Sequence, residues 1–592
     1  MKKKLLVISL IVVTLISCIL YYTYAIDITM EESSSSTEAD LAYNININDT
    51  NGRSITVSPN TTKVFDIFLT NSNGGTISYG FAYKETTSSG IEVKMLNTST
   101  DKVEGTINNK ETKKVTLVID NNTSSNITYN IVPVTGYENG GDLIIPSGYT
   151  LISNTYSFPT KYVDTSGANA PKLVENLIPV QYDDTQNSWV KASEENYLYN
   201  GTPWYDYTNK QWANAVLVSS TNRNTYVEAE AGTVIPASEV LAYYVWIPRY
   251  KYKVFNVAKT MGTDSYNAKT TGIDIVFEEG TSLTGEIKCN NYSFAAASSS
   301  ATNETCSGTN GQYYTHPAFT FGDTELTGIW VGKFEISAPT DSSCYTNQSY
   351  ANCETADLEP RTKPNVKSWR RNFVDSFEGA IQNMQSSGNE YGLSTDTSKV
   401  DSHMLKNMEW GAVAYLTHSD YGRCNGSSCE EVTINSNSSY TTGGGNYVSN
   451  VAQSSTGNIY GIYDLSGGAY EYVMGNMSKS AGSYVYNLNY GDGIFKYSAS
   501  TAKYIDTYAY GTTYNDQTAY NRARLGDATG EVVVNSGIAW NDDSVYFVNS
   551  SRSWFLRGGY SYDGSGAGVF FFGDGNGNAN SNSSARAALI AY

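Results

Sequence analysis

Short stretches of alternating apolar and polar residues fill the first quarter of the chain. Their apolar side chains stand two positions apart or form brief β-branched runs, at residues 45–47, 55–57, 64–69, 79–83, 91–93, 115–119 and 127–131. Asn-Gly, Gly-Gly and Asn-Asn pairs, which favour turns, lie between them. The pattern predicts an antiparallel β-sandwich over residues 40–160, immunoglobulin-like in architecture only, which we interpret as a spacer.

The pattern becomes irregular from Ala170, where Trp, Tyr and long Gly/Ser/Asn stretches dominate. Two segments have apolar residues at helical spacing: Phe373, Phe377, Ala380, Ile381 and Met384, then Leu405, Met408, Ala412, Tyr415 and Leu416. Two helices among many short strands predict an α+β fold for the chain as a whole.

The N-terminal segment predicts export. Lys2, Lys3 and Lys4 precede an apolar run over residues 5–22, so residues 1–25 are interpreted as a signal peptide or as a retained membrane anchor. Lipidation of Cys18 is a third alternative. The Ser/Glu-rich residues 26–39 indicate a solvated tether. We therefore expect an extracellular protein, secreted or held at a bacterial cell surface.

The charge balance argues against nucleic acid as a partner. The 592 residues include 58 acidic and 39 basic side chains, giving a net charge of −19, and no basic run follows Lys4. Phosphate backbones are bound mainly by Lys and Arg, and a strongly acidic chain repels them.

Six cysteines follow the export segment as three neighbouring pairs, and this arrangement predicts local disulfides. The pairs are Cys289 with Cys306, Cys344 with Cys353, and Cys424 with Cys429. Free thiols and a zinc site are the alternatives, although the chain has only three histidines and no CxxC pair.

Several motifs in the second half of the chain occur in a fixed order. They are VWIP at 245–248, IWVGKFEI at 329–336, MEWGA at 408–412, GIYDLSGGAYEY at 461–472, FLRGG at 555–559 and SAR at 584–586. Together they resemble the formylglycine-generating-enzyme (sulfatase-modifying factor) family. The resemblance implies a C-type-lectin-like domain over residues 245–592 with little regular secondary structure, and residues 161–244 are interpreted as its N-terminal extension.

The same resemblance argues against catalysis. Oxidising members of the family use a copper-binding cysteine pair near the C-terminus, and here no cysteine follows Cys429. Related iron-dependent sulfoxide synthases need a histidine cluster, whereas His316, His403 and His418 lie far apart in sequence. We therefore expect no enzyme activity and no copper.

A structural Ca²⁺ site is implied by the family's turn motif. The matching ligands are the carboxylates of Asp464 and Glu471 and the backbone oxygens of Gly467 and Ala469. The alternative is that Asp464 caps the turn and Glu471 pairs with an arginine.

The C-terminal segment, residues 556–586, has an unusual composition. Between Gly558 and Ala585 it lacks Lys, Glu, Gln, Met and Trp, the residues that codons ending in a pyrimidine do not encode. It resembles the variable region of proteins diversified by bacterial diversity-generating retroelements. On that resemblance Leu556 to Gly559, Ala567 to Phe570 and Arg586 are scaffold, and the substitutable ligand-binding residues are Tyr560, Tyr562, Asp563, Gly566, Phe571, Gly573, Asp574, Gly575, Asn576, Asn580, Asn582 and Ser583. The alternative is a set of ordinary surface turns whose aromatic residues belong to the core.

The predicted function is ligand binding without catalysis. Tyr and Phe supply rigid contact area while Ser, Gly, Asn and Asp supply adaptable hydrogen bonds, as in antibody loops. The expected partner is a protein or glycan on another cell or a phage, and the membrane too if the N-terminal segment is uncleaved. A carbohydrate-binding lectin that does not vary and an active formylglycine-generating oxidase are the alternatives.

Overall fold

The computed structural model describes residues 41–46, 53–59, 61–71, 75–85, 92–96, 104–121, 123, 125–136, 142–153, 155–156, 160–290, 303–477, 501–514 and 516–592. The predicted signal or anchor segment (1–25), Cys18 and the tether (26–39) lie outside the described residues. Within the described ranges, no helix is both long and apolar enough to cross a membrane.

The chain folds into two compact units, Met1–Pro159 and Thr160–Tyr592. Strands outnumber helices, and most strand pairs are antiparallel, which confirms the α+β class.

Two five-stranded sheets form the described part of the first unit. Its strands are β1 (Leu41–Asn46), β2 (Arg53–Val57), β3 (Thr61–Thr70), β4 (Ile77–Glu85), β5 (Glu92–Leu96), β6 (Gly105–Ile107), β7 (Thr112–Asn121), β8 (Ile127–Gly136), β9 (Thr150–Leu151) and β10 (Thr155–Tyr156). One sheet has the order β1-β3-β7-β5-β10 and the other β2-β8-β4-β6, with β9 on β4. Phe65 and Leu117 of the first share one core with Phe81 and Ile131 of the second.

One feature of this unit differs from the fully antiparallel arrangement that the sequence predicts. Strand β1 runs parallel to β3, and β10 runs parallel to β5. The intervening β2 belongs to the other sheet, so the chain returns to the first sheet in its original direction. Hydrophobic alternation identifies strands but carries no information on such a crossover.

The second unit contains many short strands. They are β11 (Ile178–Asp183), β12 (Ser188–Lys191), β13 (Asn214–Val218), β14 (Val240–Pro248), β15 (Tyr250–Lys253), β16 (Ile275–Phe277), β17 (Lys288–Asn290), β18 (Thr305–Ser307), β19 (Tyr313–Thr315), β20 (Thr320–Phe321), β21 (Thr324–Glu325), β22 (Gly328–Gly332), β23 (Val400–Met404), β24 (Tyr470–Met477), β25 (Asp506–Tyr508), β26 (Val533–Asn535), β27 (Ile538–Ala539), β28 (Trp554–Arg557), β29 (Phe572–Gly575), β30 (Ser583–Ala585) and β31 (Ala587–Ala591).

Two sheets organise these strands. The larger is antiparallel with the order β12-β11-β13-β14-β22-β31-β23. Residues 161–244 contribute β11, β12, β13 and the start of β14 to this sheet. The same sheet contains β31, near the C-terminus. The other has the order β25-β24-β28-β29, and β30 pairs with β24 in parallel. This second sheet carries the C-terminal segment.

Both predicted helices are confirmed, as α5 and α6. The helices are α1 (Arg223–Val227), α2 (Ala268–Thr271), α3 (Ser343–Thr346), α4 (Tyr350–Cys353), α5 (Val374–Gln382) and α6 (Asn407–Thr417). Short 3₁₀ turns occupy Pro317–Phe319, Asn383–Gln385, Thr442–Gly445, Val451–Gln453, Ala502–Tyr504, Tyr520–Arg522, Trp540–Asp542 and Gly564–Gly566. Helix α6 is buried along its whole length, and its Glu409 carboxylate accepts a hydrogen bond from the Lys406 amide at 2.8 Å, which caps its first turn.

Each predicted neighbouring cysteine pair is bonded. The S–S distances are 2.08 Å for Cys289–Cys306, 2.06 Å for Cys344–Cys353 and 1.99 Å for Cys424–Cys429. Because both sulfurs of each pair are bonded to each other, none of these cysteines offers a thiolate to zinc.

Candidate ligand-binding surface

Two buried arginines fix the ends of the C-terminal segment. Arg557, the last residue of β28, donates to the Ala528 carbonyl oxygen at 3.1 Å. Arg586, between β30 and β31, donates to the Gly332 carbonyl oxygen at 2.8 Å and pairs through Nε with Glu471 at 2.9 Å. Both side chains are fully buried. A buried guanidinium with several acceptors holds its backbone in one place, so both ends of the segment are rigid.

The middle of the segment is anchored in the core. The Val569 carbonyl oxygen accepts from the Trp410 indole at 3.0 Å, and the Phe570 amide donates to Asp543 at 2.8 Å. Asp543 is fully buried, and burial raises its pKa well above the usual range. Asp543 therefore lies in the core, and its hydrogen bond to the Phe570 amide anchors the middle of the segment.

A tight turn between β28 and the first loop requires glycine. Gly558 and Gly559 have φ values of 80° and 71°, a region that favours glycine. A Cβ on Gly559 would lie 2.5 Å from the Cβ of Ala567. These glycines and Ala567 therefore belong to the fixed frame of the loop.

A row of four aromatic rings runs from the core to the surface at this loop. Phe571 stacks on Tyr470 with centroids 5.5 Å apart, Tyr470 lies 4.8 Å from Tyr560, and Tyr560 lies 5.8 Å from Tyr562. Tyr562, at the outer end, is 63% exposed. We call these four residues the aromatic row.

Asp563 is hydrogen-bonded to two members of the aromatic row. Its carboxylate accepts from the Tyr470 hydroxyl at 3.1 Å and from the Tyr560 amide at 3.0 Å. Tyr470 comes from the AYEY part of the turn motif and was not among the predicted ligand-binding residues. The only sequence feature that points to Tyr470 is the pair of tyrosines in this AYEY motif.

The twelve predicted ligand-binding residues divide into two groups. Seven are exposed or partly exposed: Tyr560, Tyr562, Asp563, Gly566, Asn576, Asn580 and Asn582. Five are buried, which corrects the predicted surface: Phe571, Gly573, Asp574, Gly575 and Ser583.

Strand pairing accounts for the burial of four of these residues, and stacking on Tyr470 accounts for that of Phe571. Residues 572–575 form β29, which pairs with β28, and Ser583 pairs with Tyr470 of β24. A Cβ on Gly575 would lie 2.7 Å from the Tyr472 ring, so this position has no room for a side chain. Asp574 accepts from the Asn549 amide at 2.6 Å. A segment rich in Gly, Asn and Asp has no hydrophobic pattern from which the burial of these residues could be predicted.

The two carboxylates implied as Ca²⁺ ligands, those of Glu471 and Asp464, already have partners in the protein. Both carboxylate oxygens of Glu471 pair with Arg586, and Asp464 accepts from the Asn435 amide at 2.8 Å and the Gly443 backbone amide at 2.9 Å. The other two implied ligands, the backbone oxygens of Gly467 and Ala469, belong to residues whose amides donate to the Gly558 carbonyl oxygen at 3.0 Å and to the Glu335 carboxylate at 2.8 Å. The Arg586 guanidinium therefore supplies the positive charge beside Glu471. This matches the alternative given in the sequence analysis, in which Glu471 pairs with an arginine.

Glu335 adds a third carboxylate to this buried cluster. It lies in the IWVGKFEI motif, and its pKa is raised well above the usual range by burial and by the nearby charges of Asp464 and Glu471. Burial likewise raises the pKa of Glu471 to about 7 despite Arg586. One arginine thus faces three buried acidic groups.

We expect the free energy of unfolding to rise as pH is lowered from 8 to 6.5. Burial raises the pKa of Glu378 and Glu531 to about 8 and that of Glu471 to about 7. Each keeps its proton in the folded state over a range where the unfolded chain, with a pKa of 4.5, has lost it. The folded state therefore binds more protons here, and the gain is on the order of 2 kcal/mol, measured by urea denaturation at each pH.

Two buried histidines are the reason that the expected rise in the free energy of unfolding applies only between pH 8 and 6.5. Burial lowers the pKa of His316 to about 3 and that of His418 to about 4, so both oppose folding once the unfolded chain binds protons below about pH 6.5. The Glu531→Gln variant, which keeps the shape of the side chain, should show a shallower pH dependence. A free energy of unfolding that is constant or increases from pH 6.5 to 8 would contradict these proton positions.

Comparison with known proteins identifies no relative that assigns a function. No family model matches the chain, and no curated protein matches it. Among solved structures, the crystal structure of Lac15 from a marine microbial metagenome matches 23% of this chain and 30% of that chain at 11% identity. The TM-score of 0.10 is too low to support an argument about fold or function.

Proposed function

We propose that the C-terminal segment is the ligand-binding face of an extracellular, non-catalytic bacterial protein, and that its exposed residues can be replaced without loss of the fold. The domain beneath it is a C-type-lectin-like fold of the formylglycine-generating-enzyme type. The first unit serves as the spacer. The expected ligand is a protein or glycan on another cell or a phage.

One observation carries the proposal: the aromatic row ends in the exposed Tyr562, while the buried Arg557 and Arg586 fix the backbone at the two ends of the segment. A tyrosine that is 63% exposed offers rigid contact area at low cost in conformational entropy. Tyr560 and Asp563 beside it are partly exposed. Large exposed aromatic side chains next to adaptable polar ones are typical of binding surfaces.

The division between scaffold and variable residues supports diversification. Leu556, Arg557, Arg586 and residues 567–570 are buried, as expected of scaffold. The seven exposed positions lie between these anchors. Surface substitutions away from cores and special backbone positions usually change stability by about 0.5 kcal/mol or less.

The cysteines support the absence of oxidase chemistry. All six cysteines of the described ranges are paired in disulfides, and each pair lies before residue 430. Copper oxidation in the resembled family requires a reactive cysteine pair near the C-terminus. The proposal therefore assigns binding and not catalysis to this face.

A pair of display libraries tests the proposal. In the first, the seven exposed positions Tyr560, Tyr562, Asp563, Gly566, Asn576, Asn580 and Asn582 are randomised in the full chain. We expect most members to resist protease as the parent does, and selection against hen lysozyme as the probe protein to yield binders.

The second library is the matched control. It randomises the five buried positions Phe571, Gly573, Asp574, Gly575 and Ser583, and most of its members should lose protease resistance because the changes disrupt packing and strand pairing. Equal loss of folding in both libraries, or no binder from the first, would overturn the proposal. A screen of the parent chain on a glycan array with and without chelator separates it from the invariant lectin, which requires chelator-sensitive sugar binding.

A further inference from the structure

Beside the C-terminal segment, Arg371 presents a guanidinium that has no hydrogen-bond acceptor among the described residues. Within the described ranges this side chain makes no hydrogen bond or ion pair, and its Cζ lies 4.8 Å from the centre of the Tyr350 ring. Tyr350 is 47% exposed. Stacking on the ring holds the guanidinium in position while its N–H donors remain available.

The backbone of Arg371 is fixed by the C-terminal segment itself. Its amide donates to the carbonyl oxygen of Asn580 at 2.9 Å, and its φ of 64° is unusual for a residue other than glycine. This contact uses the backbone of Asn580, so a change of side chain at that position preserves it. Arg371 therefore lies at a constant distance from a variable residue.

Tyr350 is held with similar rigidity. It begins helix α4, whose last residue, Cys353, is bonded to Cys344. The Cys353 carbonyl oxygen accepts from the buried Trp369 indole at 3.2 Å. The disulfide and this hydrogen bond fix the short loop that carries the ring.

A second arginine makes this edge of the surface positive. Arg370 stacks on Tyr440 at 4.0 Å and donates to the Ser581 carbonyl oxygen. Burial lowers its pKa, and the neighbouring charge of Arg371 lowers it further. The positive charge of Arg370 therefore adds to that of Arg371 and favours a negatively charged ligand group at this edge.

We propose that Arg371, stacked on Tyr350, is a subsite for a carboxylate group of the ligand at the edge of the C-terminal segment. The inference rests on the proposed binding function and specifies that the ligand carries a carboxylate group. The planar guanidinium matches a carboxylate through two parallel hydrogen bonds.

The charge of the whole protein favours a ligand with isolated carboxylates over a dense polyanion. The net charge of −19 repels sulfated or phosphorylated polymers at long range, whereas one carboxylate close to Arg371 gains local hydrogen bonds. Such a carboxylate is found on acidic sugars and on acidic amino-acid side chains, and the experiment distinguishes these two sources.

The test measures binding of three probes to the full chain by saturation-transfer NMR titration. The probes are a galacturonic acid trimer, a neutral galactose trimer and a tripeptide containing glutamate. We expect an acidic probe to bind, and the Arg371→Gln variant to bind it about tenfold more weakly, because charge-assisted hydrogen bonds are lost. Arg371→Asn serves as a second variant, since Asn tolerates a positive φ.

The matched control is Lys161→Gln, which removes one positive charge from a different cation–aromatic pair, Lys161 on Tyr197 at 5.9 Å. Its affinity for the acidic probe should equal that of the parent. Binding of only the sugar acid or only the peptide, dependent on Arg371, supports the subsite and identifies the source of the carboxylate. Equal affinity for the neutral trimer, equal loss in Lys161→Gln, or no binding of either acidic probe would overturn it, while the library experiment would still stand.

Discussion

Replacing Arg586 with methionine is expected to lower the free energy of unfolding of the second unit by about 3–5 kcal/mol. Arg586 pairs with Glu471 in a fully buried site, and Asp464 and Glu335 lie in the same acidic cluster. Without the guanidinium, Glu471 loses the positive charge that pairs with both of its carboxylate oxygens. The loss is measured by urea denaturation followed by tryptophan fluorescence.

Two further variants separate the buried charge from the lost volume. Changing Glu471 to Gln in the Arg586→Met background removes the unpaired charge and should recover part of the lost stability. Arg552→Met is the matched control, because the Arg552 side chain is 44% exposed in its ion pair with Asp574 and Asn549 still donates to that carboxylate when Arg552 is removed. A half-exposed arginine contributes less to stability than a fully buried one. A loss in Arg586→Met no larger than in Arg552→Met would contradict the assigned role of Arg586.

Replacing Phe571 with alanine is expected to cost about 3 kcal/mol or more. The ring is only 5% exposed and stacks on Tyr470 at the inner end of the aromatic row. Removing it leaves a cavity beneath Tyr470, so the cost includes lost burial and lost contacts. Thermal unfolding monitored by circular dichroism measures the change.

The other end of the aromatic row supplies the control for Phe571. Tyr562→Ala removes a side chain that is 63% exposed, and it should change stability by about 0.5 kcal/mol. Equal destabilisation by the two substitutions would place Tyr562 in the core and would weaken the case for a binding surface. Stability retained in Phe571→Ala would instead return Phe571 to the surface.

Local patterns predicted the two longest helices and most strands of the first unit. Helical spacing identified α5 and α6, and alternation identified most strands of the first unit, since both signals arise from residues that are neighbours in sequence. The three disulfides were predicted for the same reason, because their cysteines lie 5 to 17 residues apart.

Contacts between residues far apart in the chain could not be predicted from the sequence. Glu335 joins Glu471 and Arg586 only when β22 and β31 pair, and no local pattern reveals this. Arg371 meets residue 580 across more than 200 positions. Burial of Phe571 depends on Tyr470, which comes from another strand. The sequence therefore indicated a candidate segment, but the fold was needed to tell which of its members are exposed and which residues hold them in place.

The clamping of the C-terminal segment by Arg557 and Arg586 has a kinetic consequence. A loop held at both ends in advance has little freedom to lose when it meets a ligand, so the entropic penalty of complex formation is small. Encounter rates should then stay similar among variants of the segment, and differences in affinity should appear in how long each complex survives. A protein built this way can change the lifetime of its attachments without changing how quickly it makes them.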